Sequence, residues 1–276
     1  MIETLVYKPT AHQEEESNDE IDRLVSQHYI LRTAFDSDYS VPSSLFQKKK
    51  NTVVLDIGCG PGTWTMEMAS QFPKVTFIGV DFRDMSPHDI KPKNCHFQQH
   101  LDIVKLPFGD NSVDYIFQRD MNWFLNAENW IPLIKEYFRI LKPGGWIELV
   151  EPDLESQSSL ENESYLNNKL LNLITHRGKD AFVARKLSSI MAASGFRRIE
   201  SRFQSIPLGW GKGKDAFSKA CASQQLWLLK SLQPSLSQMT SIAPDKYNQY
   251  LDDLAIEWCE ARTYINWHRS IAQKPF

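Results

Sequence analysis

The segment Val53-Val-Leu-Asp-Ile-Gly-Cys-Gly-Pro-Gly-Thr63 constrains this chain more than any other stretch. A short apolar run contains an acid, and glycines at alternate positions then lead into a helix-prone sequence. Such a run suits a strand buried on both faces. Glycine at a strand-to-helix turn permits positive φ and lets a ligand approach the backbone closely. In open α/β sheets, ligands bind at the carboxyl ends of the strands, where this loop falls. The flanking sequence agrees with such a sheet. Val75–Val80, Cys95–Gln99, Val113–Gln118 and Trp146–Val150 read as further strands. Helical stretches separate them, one through Met66, Met68, Ala69 and Phe72, another from about Glu128 to Leu141, stopped by Pro143-Gly144-Gly145. The alternation predicts a parallel sheet with right-handed crossovers.

Outside that core, residues 1–17 are polar and acidic and read as a flexible arm. From about Asn18, apolar residues and His28 recur at helical spacing through Leu31 and Phe35, so 18–50 reads as an N-terminal helical lid. Residues 51–276 form the main domain. After Pro152 come helical segments at 164–175 and 181–193, then a strand from Gly195-Phe196 to about Leu208. A helical insertion at 212–260 precedes a last strand near Arg262–Ile271.

Composition excludes several classes. With 276 residues the chain can bury a large core, and its net charge of -3 supplies no global field for nucleic acid or an anionic membrane. Nucleic acid is therefore a disfavoured partner. Cys59, Cys95, Cys221 and Cys259 form no CxxC pair and read as reduced thiols, which points to the cytoplasm, with the nucleus left open. The N-terminus lacks a signal-peptide pattern, and no run reaches the roughly 18 apolar residues of a membrane span.

Spacing narrows the ligand. A dinucleotide fingerprint, G-x-G-x-x-G, needs glycine at 58, 60 and 63, but position 63 is Thr. Gly58, Gly60 and Gly62 follow Asp56, an acid that would repel a pyrophosphate. The pattern suits a cofactor without phosphate and with a cationic amino acid end, and S-adenosylmethionine has both properties. Phe77-Ile-Gly-Val-Asp81 ends the second strand in an acid able to hold ribose hydroxyls, a feature dinucleotide enzymes share. Asp102, beyond the third strand, falls where a carboxylate can accept from an adenine amine.

Through LDIGCGPGTWT, GVDF, LPFGDNSVDYIFQRD and LKPGGWIELVE the sequence resembles the class I S-adenosylmethionine-dependent methyltransferases. It is similar, more narrowly, to a fungal group of small-molecule-type methyltransferases that includes regulators of secondary metabolism. EIDRLVSQHYILRTAF and IPLGWG also carry that likeness, which covers about residues 20–275. The resemblance implies a Rossmann-like, mostly parallel seven-stranded sheet in the order 3-2-1-4-5-7-6, the last strand antiparallel. It assigns Asp56 and Gly58 to the methionine end, with Gly60 and Gly62 closing the turn and Cys59 among the cofactor-binding residues, and Asp81 to the ribose. Phe82 then packs on adenine, Asp102 and the Ile103 backbone read its edge, and Gln118 approaches the methionine end.

Methyl transfer from a sulfonium releases a neutral thioether, so alignment and exclusion of water dominate, and a base is needed only if the acceptor must lose a proton. His28 and Glu151 are the candidates for that role. Each also reads as a packed helix residue or a loop acid. Tyr29, Trp123 and Glu151 are expected to line an acceptor pocket between the first helix, the loop after Gln118 and the 212–260 insertion. That insertion carries Leu226, Trp227, Leu228 and Trp258, which suit either an apolar pocket or plain core packing. No Asp/Asn or Cys/His cluster has metal-ligand spacing. The expected activity is methyl transfer to the oxygen or nitrogen of a small organic acceptor. A protein methyltransferase and a cofactor-binding regulator acting through protein partners are the alternatives.

Overall fold

The computed structural model describes residues 12–47, 52–87, 89–102, 104–211 and 216–276, without the side chains of 12–17. Most of the expected arm, the Lys48–Lys50 run and Ile103 therefore lie outside the described residues. Seven strands form one sheet: β1 (Val53–Ile57), β2 (Thr76–Asp81), β3 (Cys95–Gln99), β4 (Val113–Arg119), β5 (Leu141–Pro152), β6 (Arg197–Pro207) and β7 (Tyr264–Gln273). Their order is β3-β2-β1-β4-β5-β7-β6, with β7 antiparallel to both neighbours and the other ladders parallel. Fold class and strand order match the expectation.

Among the described residues eight α-helices accompany the sheet: α1 (His12–Phe35), α2 (Thr63–Gln71), α3 (Trp130–Ile140), α4 (Glu161–His176), α5 (Leu187–Ala193), α6 (Ala216–Ser231), α7 (Gln233–Thr240) and α8 (Pro244–Ala261). The pleat sends successive side chains to opposite faces. Val54, Phe77, Tyr115 and Phe117 enter a cluster shared with α1, α2, α4 and α6–α8. Leu55, Val80, Ile116 and Ile147 enter a second cluster with α3 and α5. This parity decides below which polar side chains reach the site.

Three elements differ from the sequence reading. Helix α1 begins at His12 rather than near Asn18. Strand β5 is already extended at Leu141, where it pairs with Val113. It then shifts register through Pro143-Gly144-Gly145 before the regular ladder resumes at Trp146. Between α6 and α8 the insertion holds α7, a short third helix beyond the sequence reading, with Pro234 in its first turn. No helix among the described residues is long and apolar enough to cross a membrane.

Candidate active site

At the carboxyl ends of β1, β2 and β4 lies a cleft of about 240 Å³, closed on its far side by α1 and the end of α6. The glycine loop forms its floor. Gly58 N–H donates to Val80 O at 2.8 Å, and Gly60 N–H donates to Asp81 Oδ2 at 2.8 Å, so the end of β2 pins the turn that follows β1. Asp81 Oδ1 also accepts from Arg83 N–H at 2.8 Å. Gly58 and Gly60 have φ of +73° and +52°. A Cβ on Gly58 would lie 2.2 Å from Met121 Sδ, while one on Gly60 would point across the cleft to Leu24 of α1, 3.4 Å away. The cradle is thus open only because these positions lack side chains. Phe82 and Phe124 form one wall, 5.4 Å between centroids, with the Arg83 guanidinium over both rings. An adenosine fits such a wall by stacking.

Arg119, the last residue of β4, supplies a half-buried cation to the same cleft. Its guanidinium donates to His28 Nδ1 at 3.3 Å. Because a guanidinium offers only donors, Nδ1 must accept, and the imidazole proton sits on Nε2, which donates to Glu67 Oε2 at 3.0 Å. Burial, then the Arg119 charge, lowers the His28 pKa to about 4, so the ring is neutral at pH 7. Glu67 also accepts from Tyr29 Oη and Arg32 Nη1.

Next to the cleft, a second cavity of about 60 Å³ is lined mostly by apolar residues of α1, α4, α6, β6 and β7, among them Leu31, Leu170, Ile206, Leu228 and Trp267. Cleft and cavity share Arg23, Gln27, Asp120, Trp123 and Leu228. Asp120 has φ +59°, a left-handed conformation that costs a non-glycine residue roughly 1–3 kcal/mol and clusters at functional sites. Its Oδ2 accepts from Gln27 Nε2 at 2.9 Å, and burial raises its pKa to about 6.

Glycine loop, β2 acid, aromatic wall and half-buried cation together suit a phosphate-free nucleoside with a zwitterionic tail. Residues 30–201, more than half of the chain, match a family described as a methyltransferase domain. The chain is a class I S-adenosylmethionine-dependent methyltransferase. It is 29% identical to the secondary metabolism regulator laeA of Aspergillus fumigatus over 275 residues, 93% of this chain and 70% of that protein. It is 36% identical to the protein-methionine methyltransferase laeA of Emericella nidulans over 103 residues, 37% of this chain and 26% of that one. Among solved structures, phosphoethanolamine N-methyltransferase 2 of Haemonchus contortus, bound to S-adenosylmethionine, shares the fold with a TM-score of 0.50 at 18% identity. That match covers 92% of this methyltransferase and 52% of the solved chain, so this chain spans about half the length of that enzyme.

The structure sorts the residues expected from sequence. Gly58, Cys59, Gly60, Asp81, Phe82 and Trp123 border the cleft of this methyltransferase. Gly62 caps α2, and its missing side chain leaves room for the Phe97 ring. Asp56 lies beneath the loop, where Thr65 Oγ1 donates to Oδ2 at 2.5 Å and burial raises its pKa to about 6. Gln118 points to the α3 face of the sheet: its amide donates to Glu151 Oε1 at 2.9 Å and accepts from Tyr137 Oη at 2.7 Å. Glu151 faces the same side and accepts Met121 N–H and Asn122 N–H, with burial pushing its pKa up to about 8. Neither borders the cleft or the cavity. Asp102 is exposed and accepts from Val104 N–H and Lys105 N–H of its own loop. Tyr29 is 47% exposed on the outer side of α1, away from both spaces. Arg23, Arg119 and Asp120 went unnoticed in the sequence. The one available signal was an adjacent Arg-Asp pair directly after a buried strand, at the crevice where such sheets bind ligands.

Proposed function

We propose that this methyltransferase acts on a small organic acceptor whose reacting end enters the cavity beneath α1 and α6. The observation that carries the reading is the shared wall, since Arg23, Gln27, Asp120, Trp123 and Leu228 border both the cleft and the cavity. When bound, the cofactor supplies a sulfonium-activated methyl group. The protein aligns the acceptor and excludes water, which suits a mostly apolar chamber. In this reading Asp81 holds the ribose, Phe82 and Phe124 flank the adenine, and Arg119 meets the carboxylate of the methionine end. His28 and Glu67 hold the Arg119 guanidinium in place and do not touch the reacting atoms. The kinship to a protein-methionine methyltransferase favours a second reading, in which a side chain of a protein enters the same opening.

Ile206 borders the cavity but not the cleft and is 4% exposed. Ile206→Phe should keep the parent affinity for S-adenosylmethionine in calorimetry and lose most methyl transfer. Overpacking of this kind costs typically about 1–3 kcal/mol of stability, so both proteins are compared where each is folded. Transfer at the parent rate would show that the acceptor does not use this cavity.

A further inference from the structure

Of the buried groups near the site that can exchange a proton, Asp81 accepts from Gly60 and Arg83, Asp153 accepts from Arg185 and Glu155 N–H, and three more are likewise committed. The His28 ring is held between Glu67 and the Arg119 guanidinium. Glu151 accepts three donors on the far face of the sheet. Asp56 is engaged by Thr65 under the loop. Asp120 differs. Its Oδ2 accepts from Gln27, but Oδ1 is buried with no hydrogen-bond partner among the described residues, in a residue only 8% exposed. A buried carboxylate oxygen without a donor is expensive to keep. It persists where a ligand provides the missing partner, and Asp120 stands on the wall common to the cofactor cleft and the acceptor cavity.

We propose that Asp120 is the general base of this enzyme, and that the acceptor is a small molecule reacting through an oxygen or nitrogen that carries a proton; this rests on the acceptor reading above. The electron pair of the acceptor heteroatom forms the new bond to the methyl carbon. The carbon–sulfur bond breaks with its pair left on sulfur as a neutral thioether, and the acceptor proton passes to Asp120 Oδ1. The side chain is tied to α1 through Gln27, so its direction is set before the acceptor arrives. The left-handed backbone at φ +59° turns the chain out of β4 at this residue.

The charges around Asp120 are Arg23 and Glu20 on α1, Arg119 at the end of β4 and Glu151 on β5. Burial outweighs the two arginines and the Gln27 bond and leaves the carboxyl near 6. At neutral pH it is mostly ionised and able to accept a proton. The sign follows: transfer should rise with pH through about 6 and level off above it.

Asp120→Asn keeps an oxygen for Gln27 and tests the assignment. Methyl-labelled S-adenosylmethionine is supplied to parent and variant with a whole-cell extract as acceptor pool, and small-molecule and protein products are separated by size. The variant should bind S-adenosylhomocysteine as the parent does, transfer label about a hundredfold or more slowly, and lose the rise near pH 6. Of the two Asp carboxyl resonances expected to titrate near pH 6 in parent protein labelled with ¹³C at Asp, those of Asp56 and Asp120, one should also be missing from the variant. A variant with the parent's rate and pH profile overturns the assignment and leaves the acceptor reading intact. A labelled product that is a sulfonium also overturns it, because a thioether acceptor has no proton to lose. Label placed by the parent on protein alone overturns the acceptor class, and the parent-to-variant ratio on that protein then decides Asp120. No transfer at all overturns both.

Discussion

At the scale of single residues, the site depends on positions where a side chain is missing or its backbone is turned the unusual way. Gly58 is the sharpest case. An alanine there takes a left-handed conformation that costs roughly 1–2 kcal/mol. Its Cβ also meets Met121, whose N–H is held by Glu151 and which cannot retreat freely. Gly58→Ala should therefore lower stability by about 1–2 kcal/mol or more and weaken S-adenosylmethionine binding, measured by urea unfolding and calorimetry. A variant with the parent's unfolding midpoint and affinity would contradict this account of the loop. The same scale shows where the sequence was hard to read. Gly58, Gly60 and Asp81 were legible because a strand-turn-helix with those residues has few other uses. Gln118 and Glu151 were misjudged because their face depends on pleat parity. One residue of shift moves a side chain from the cleft to the α3 side, and Arg119 rather than Gln118 points to α1. Asp102 is consumed by its own loop, as an Asx turn allows.

Among the elements, α1 does most to convert a nucleoside-binding sheet into a closed site. Ile30, Leu31 and Phe35 enter the main core, while Arg23 and Gln27, one and two turns earlier, face the two cavities. The helix is therefore anchored at one end and functional at the other. A polar tie from α1 to α2 is Glu67, which accepts from His28, Tyr29 and Arg32. Glu67→Ala would leave the His28 N–H unpaired in a fully buried ring, a loss of about 1–3 kcal/mol. We expect faster hydrogen exchange along α1 and weaker cofactor binding, since α1 walls the cleft. Unchanged α1 exchange in the variant would show that apolar packing alone holds the helix. The strands of this fold were readable because each is a short apolar run between turn signals. The start of α1 and the short helix α7 were not, because acidic runs and Pro-containing segments fit either a loop or a helix.

On the whole-molecule scale, the chain joins a sheet that recognises a nucleoside to a helical roof assembled from both ends of its fold. Helix α1 comes before the first strand, and α6–α8 come between the last two. The cofactor half was legible in the sequence, because the chemistry of a shared ligand imposes a short contiguous motif. The acceptor half was not, because its walls come from six separate elements and the loops between them and require only bulk and apolarity. The central claim is that this roof receives a small molecule, and one measurement tests it most directly. Methyl-labelled S-adenosylmethionine is incubated with the parent enzyme and whole-cell extract, and the products are then separated by size. The account predicts label in the small-molecule fraction, lost when Phe replaces Ile206; label confined to the protein fraction would contradict it.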